Sequence, residues 1–300
     1  MKIVINILLF VFIPLCTVVG QSNIRFNNYW DNVYTINPAS INDAYSGSVS
    51  MGVRKQWTSF EGAPTTMAAT GKIYLDRIST QLGAKIFVEQ KGYTSLLDMD
   101  FSYANSFYLN NTWKLNLGLD VSYQNLSYDI SKITFAEEEN PDIYDRLLSS
   151  NNMNADLGVE INSPNWKIGA SSHNFVSVFM PENDLHLNTN ILYAMYRQNS
   201  NDFVNYGFGT TGFQYGNIYQ MELSISAFIK KNYDSHPFQI GAFYRTWHEL
   251  GLIFGVEFDK FKVSYSCDFN FGKVMYHSLG THEVVLTYNF DKIYHCRSCW

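Results

Sequence analysis

The sequence predicts an all-β protein: a transmembrane antiparallel β-barrel of about 14 strands, of the outer-membrane type. Three observations carry this expectation. Strand-length segments recur along the chain with apolar and polar residues alternating at period two. Aromatic and charged residues each make up 16% of the chain, so polarity comes largely from Asn, Ser, Thr and Tyr, as suits strands with one wet face. Beyond the first twenty residues no apolar run approaches the length of a spanning helix. A membrane crossing must then be a closed barrel, because lipid cannot satisfy an open strand edge.

The clearest segment is 113–124. Trp113, Leu115, Leu117, Leu119, Val121 and Tyr123 alternate with Lys114, Asn116, Gly118, Asp120, Ser122 and Gln124. Period two puts the sets on opposite faces of a strand, whereas a helix would scatter the leucines around its surface. Ten steps at a rise of about 3.4 Å span about 34 Å. At a tilt of about 45° that becomes about 24 Å, close to the apolar band of an outer-membrane barrel. Trp113 and Tyr123 bracket the aliphatic residues, where aromatic rings favour the membrane–water interfaces.

Taken in order, the chain opens with Met1-Lys2 and an apolar run from Ile3 to Ile13 interrupted by Asn6. This is the pattern of a secretory signal peptide, 1–20, with cleavage after Gly20. Cys16 follows Leu15, which is not the small residue that lipidation requires. Residues 21–46, Asn-rich and aromatic with Pro38, are expected as an irregular periplasmic leader. Barrel strands are expected within 47–291, near 48–57, 64–75, 78–89, 95–108, 113–125, 153–162, 165–174, 187–197, 203–212, 218–230, 237–247, 250–258, 261–269 and 281–290. Residues 292–300 are expected as a C-terminal periplasmic tail. Turns after even-numbered strands are mostly short, and the long connections, 126–152, 175–186 and 270–280, follow odd ones. That is the arrangement of periplasmic turns and outer loops. A β-sandwich or a propeller would be the soluble alternative. The strand count exceeds a usual sandwich, and no blade repeat is visible.

The formal net charge of −6 comes without a basic patch, which argues against nucleic acid as a partner. Predicted inward positions carry both signs: Arg54, Lys85, Asp120, Asp156, Glu160, Lys167, Glu222, Glu257, Lys262 and Glu283. This describes a hydrated lumen with internal ion pairs rather than a selectivity ring of one sign. Together with inward Phe228 it predicts no wide open channel. His277, His282 and Glu283 lie close in sequence, but the spacing of the histidines fixes no metal geometry. His248-Glu249 is expected as a loop pair. Cys296 and Cys299 form a terminal Cys-x-x-Cys without the context of a redox or zinc site, and together with Cys267 they are expected as a tail disulfide or free thiols. No catalytic set, phosphate loop or cofactor motif stands out. The expectation is a protein that is not an enzyme and that holds no cofactor and no metal.

One stretch departs from simple alternation: Arg54-Lys-Gln-Trp-Thr-Ser-Phe-Glu-Gly-Ala-Pro-Thr-Thr66. Gly62 and Pro64 set a specific turn, and Trp57 and Phe60 would anchor it at the interface. The stretch resembles the Arg-x-Gln-Trp-x-Gly-Phe-x-Gly-Ala-Pro-x-Thr signature of the PorP/SprF family, outer-membrane proteins of the type IX secretion system of Bacteroidota. Arg54, Gln56, Trp57, Phe60, Gly62, Ala63, Pro64 and Thr66 match, while Ser59 stands where the family has glycine. Upstream, Ile41-Asn-Asp-Ala-Tyr-Ser-Gly-Ser48 resembles Ile-Asn-Pro-Ala-Tyr-Ala-Gly-Ser, with Asp43 in place of the proline. Gly280-Thr-His-Glu283 resembles Gly-Ser-His-Glu, which singles out His282 and Glu283, and Tyr265-Ser-Cys-Asp268 resembles Tyr-Ser-Tyr-Asp. The resemblance implies a non-enzymatic barrel. Some members support periplasmic machine parts, and others export or hold the C-terminal domains of secreted surface adhesins.

The main expectation is an accessory and anchoring barrel acting by protein binding; its rivals are a diffusion pore or transporter for small solutes and, third, a barrel enzyme. Loop 126–152 is the candidate partner site. Phe135, Ile143, Tyr144, Leu147 and Leu148 lie beside the acidic run Glu137-Glu138-Glu139, the composition of a protein-binding patch.

Overall fold

The computed structural model describes residues 25–128, 149–179, 188–200, 202–230, 238–246, 248–271 and 278–291. Its strands are β1 Gly47–Lys55, β2 Thr65–Leu75, β3 Thr80–Lys91, β4 Thr94–Tyr108, β5 Lys114–Tyr128, β6 Ser149–Asn162, β7 Trp166–His173, β8 Thr189–Arg197, β9 Val204–Tyr215, β10 Ile218–Ile229, β11 Phe238–Arg245, β12 Glu249–Phe258, β13 Phe261–Asn270 and β14 Thr281–Asn289. Every neighbour pairs antiparallel, and β1 joins β14 from Ser48↔Asn289 to Lys55↔His282, so the sheet closes into a barrel. Each of the fourteen expected strands is present. No described helix is long and apolar enough to cross a membrane.

Period two orders the wall as expected. On β5, Leu117, Leu119 and Val121 are 43–47% exposed, while Asn116, Asp120 and Ser122 are at most 2% exposed. The outward row continues through Met51, Ile86, Leu192, Leu223, Ile240 and Leu286, an apolar belt of the kind that outer-membrane barrels carry. Aromatic pairs mark one of its edges: the rings of Trp166 and Tyr196 lie 5.0 Å apart and those of Phe261 and Tyr288 4.8 Å apart, both pairs tilted.

The connections after β5, β7 and β13 are the longest, and that end is called the long-loop end here. It also carries the two-residue turns Gly92-Tyr93 and Gly216-Asn217. At the opposite, short-turn end, Lys260 donates to Asp291 at 2.7 Å. This bond raises the lysine's pKa and lowers the carboxyl's. Both groups are solvated, so the pair adds little stability.

Most of the lumen is filled rather than hydrated space. Lys85, Asp120, Glu160, Glu222, Arg245 and Glu283 all point inward and are at most 1% exposed. What covers them is the segment 25–46. The expectation of a periplasmic leader is corrected here: Tyr29, Tyr34, Asn37 and Ala39 are at most 1% exposed and lie inside the barrel. The segment lacks the alternation of a strand, which makes it look like a tether. Its Asn and Tyr side chains instead supply the donors and acceptors that a polar lumen needs. Its apolar side, Tyr29, Val33 and Ile36, packs on Ile191, Tyr193, Met195 and Phe213 of β8 and β9.

Candidate functional site

The plug, residues 25–46, is fastened at three levels. At the short-turn end Lys114 Nζ donates to Asp43 at 2.6 Å, and Gln81 receives the Asn42 amide while donating to the Ser40 carbonyl, both at 3.1 Å. Midway, the Asn37 side chain donates to the Tyr193 hydroxyl at 2.9 Å, and that hydroxyl donates to Glu160 at 2.7 Å. Here Gly118 and Gly158 face each other across β5 and β6. A Cβ on either would run into Asn37–Ala39, so the bare backbone is what lets the plug approach. Toward the long-loop end, Glu283 accepts the amides of Asn27 and Asn28 at 2.6 and 3.0 Å. The Asn27 side chain donates to Asp268 at 2.5 Å and accepts from Arg245 at 2.9 Å. Arg245 also binds Glu222, which receives the Tyr29 hydroxyl at 2.7 Å and the Trp30 indole at 3.1 Å. Arg25 ends the described chain at this level, donating to Tyr215 and Gln220 at 3.0 Å.

The motif stretch forms the β1–β2 hairpin and the clasp above the plug. Arg54 donates to the Arg25 carbonyl. The Gln56 amide closes the hairpin on the Pro64 carbonyl at 2.9 Å. Trp57, Ser59 and Gly62 turn through positive φ of 47°, 92° and 72°. The Gly92 amide donates to the Gly62 carbonyl at 2.9 Å, while Thr58 exchanges backbone bonds with Gly280 and Leu279 at 2.9 and 3.0 Å. The hairpin therefore ties the β3–β4 turn to the strand leading into β14. Phe60 remains 42% exposed, and Ala63 closes a turn on the Phe60 carbonyl at 3.3 Å. His282 and Glu283 part company: Glu283 faces the plug, and His282 faces outward with Nδ1 2.7 Å from the Tyr265 hydroxyl.

Asp100, Asp120 and Asp156 bring carboxylate oxygens within 4.8 Å of one another. Lys85 serves as their cation, 2.5 Å from Asp120 and 3.2 Å from Asp100, and His173 pairs with Asp156 at 2.7 Å. Cys267 is a buried free thiol. The proposed loop residues Phe135, Ile143, Tyr144, Leu147 and Leu148 lie outside the described residues. So do 1–24, the tail with Cys296 and Cys299, and part of 175–186.

Sequence reasoning found Arg54 and Glu283 but not the plug they hold. The available signal was in β8 and β9, where Ile191, Met195 and Phe213 are apolar on the inward face. An inward apolar patch in a polar lumen requires an apolar guest.

A closed, plugged barrel with an outward apolar belt defines an outer-membrane β-barrel protein. The solved structures it resembles are of that class. The Pseudomonas putida toluene transporter TodX matches at 10% identity with a TM-score of 0.50, over 87% of this chain and 93% of that one. A TodX deletion mutant, described as a monoaromatic hydrocarbon channel, matches at 10% identity and TM-score 0.51, over 86% and 94%. No curated protein sequence matches. The model of the type IX secretion system membrane protein family PorP/SprF matches residues 18–288. The chain belongs to that family.

Proposed function

We propose that this barrel acts in type IX secretion by binding protein, holding the C-terminal domains of secreted surface proteins at its long-loop end, parts of the periplasmic machine at its short-turn end, or both. One observation supports this above others: the lumen is filled by a plug that is covalently part of the chain and bonded along its length, so the barrel offers surfaces rather than a passage. The hairpin clasp ties the β1–β2, β3–β4 and β13–β14 connections together, which stiffens that part of the rim at the long-loop end. The outer membrane supplies the surrounding lipid, and mature protein after signal cleavage is the working form.

The test is deletion of 136–149. Barrel folding, read as heat-modifiable gel mobility, should persist while the surface partner is released from cells. Retention of the partner at wild-type levels would exclude this loop as the docking site. The rival reading, a solute pore, draws on the likeness to hydrocarbon channels, which is a likeness of fold. Large, stable single-channel currents from the purified protein would favour it.

A further inference from the structure

The plug does not fill the lumen completely. On its long-loop side a cavity of about 80 Å³ remains, floored by Thr35 and Ile36 and walled on one side by β4 and β5. A water needs roughly 10–15 Å³ by this measure, so the space holds several waters or one compact polar group. The wall is built from two adjacent cross-strand pairs, Asp98↔Gln124 and Asp100↔Ser122.

These residues leave acceptors unused. Among the described residues, Asp98 Oδ1, Gln124 Oε1 and Ser122 Oγ are buried without a hydrogen-bond partner, and Gln124 and Ser122 are each 2% exposed. The donors on this side of the cavity are committed elsewhere. The Gln124 amide nitrogen donates to Asp98 Oδ2 at 3.3 Å and to Asn174 at 2.9 Å. Lys85 is held by Asp100 and Asp120. His173 bridges Asp156 and the Ile36 carbonyl. Arg25 lies against the far wall, its guanidinium 4.2 Å from the Phe213 ring centre and its Nε unpaired. Among the side chains that line the cavity, Asp98, Asp100 and Asp156 stand against Lys85 and Arg25, which gives −3 + 2 = −1, or 0 with His173 protonated. Unpaired buried acceptors are costly, and a charged donor bonds a carboxylate and its neighbouring acceptors more strongly than a water does.

We infer that this vestibule is a binding site for one alkylammonium or guanidinium group, entering from the long-loop end and donating to Asp98, Gln124 and Ser122. The cavity admits the head of a single lysine or arginine side chain, or a small free amine of the same chemistry. The inference rests on the lumen geometry and stands apart from the docking role of loop 126–152.

The experiment is calorimetric titration of the full barrel in detergent with n-butylammonium, methylguanidinium, potassium chloride and sodium butyrate. Saturable binding of the two organic cations is expected, with none for potassium or butyrate. Asp98→Asn, nearly isosteric, should weaken n-butylammonium at least tenfold. Ser122→Ala should weaken it a few-fold, and covers the case in which Asp98→Asn fails to fold by gel mobility. The blocked tripeptide Gly-Lys-Gly against its norleucine analogue separates the sources. Tighter binding of the lysine peptide than of n-butylammonium assigns the site to a polypeptide side chain, and weaker binding assigns it to a free amine. Absence of saturable binding, equal binding of potassium, or affinity unchanged in both variants would each overturn the inference.

Discussion

The wall and the plug are built by different rules. The wall is a continuous backbone ladder, closed at β1 and β14, in which each residue's face is dictated by pleat. The plug has one short 3-10 turn, Val33–Thr35, and is held by side chains reaching from the wall. A ladder survives most side-chain changes, whereas a segment held by individual polar contacts can be released one clamp at a time. Damage to the plug should therefore leave the wall standing, and the cost of any plug mutation is capped by the free energy of docking the plug.

The largest expected effect is at the plug's base. Asp43→Ala leaves Lys114 charged and nearly inaccessible, a situation that costs about 3–5 kcal/mol. Release of the plug limits the loss. Thiol labelling of a cysteine placed at Ala39 should rise strongly while heat-modifiable mobility stays normal. If the whole barrel instead fails to assemble, plug and wall are one cooperative unit. Next is the wall itself. Leu117→Arg faces lipid and should cost about 2–4 kcal/mol of barrel stability in a urea titration in lipid. Asn116→Arg, one residue away, enters the filled lumen where Asn116 bonds Ser106 at 2.6 Å and Glu160 at 3.3 Å. It should expose Ala39 to labelling and spare the wall. Equal effects of the two on wall stability would erase the distinction.

A smaller effect is expected at the motif glutamate. Glu283→Ala strips the acceptor from two buried amides, about 1–3 kcal/mol. It should raise single-channel conductance without altering gel mobility. The smallest concerns Ser59, whose φ of 92° is a glycine conformation. Ser59→Gly should stabilise the hairpin by about 1 kcal/mol, seen as a modest rise in unfolding midpoint. A fall would show that the serine side chain makes a compensating contact.

The same division decides what was legible in the sequence. Period two is local, so β5 and its thirteen relatives could be traced from residue order alone, and the hairpin at 54–66 announced itself by breaking the pattern. The plug's position is fixed by contacts far apart in sequence, such as Asn27 with Glu283 and Asn37 with Tyr193. No short window contains both partners. Asp43, which departs from the family pattern, makes sense only beside Lys114. Gly118 looked like an ordinary polar-face position, and with Gly158 opposite it turns out to be clearance for a passing backbone.

The hold at the top of the plug has a consequence for how the molecule is put together. Arg54 belongs to β1 and Glu283 to β14, and both bind the first described residues of the chain, 25–28. Those two strands are the farthest apart in sequence and form the seam that completes the cylinder. Residues 25–28 can satisfy both partners only when the seam's two edges stand side by side. Residues 25–28 thus work as a latch across the seam: they seat fully only when β1 and β14 lie side by side, and an open seam leaves the buried carboxylate of Glu283 without its amides.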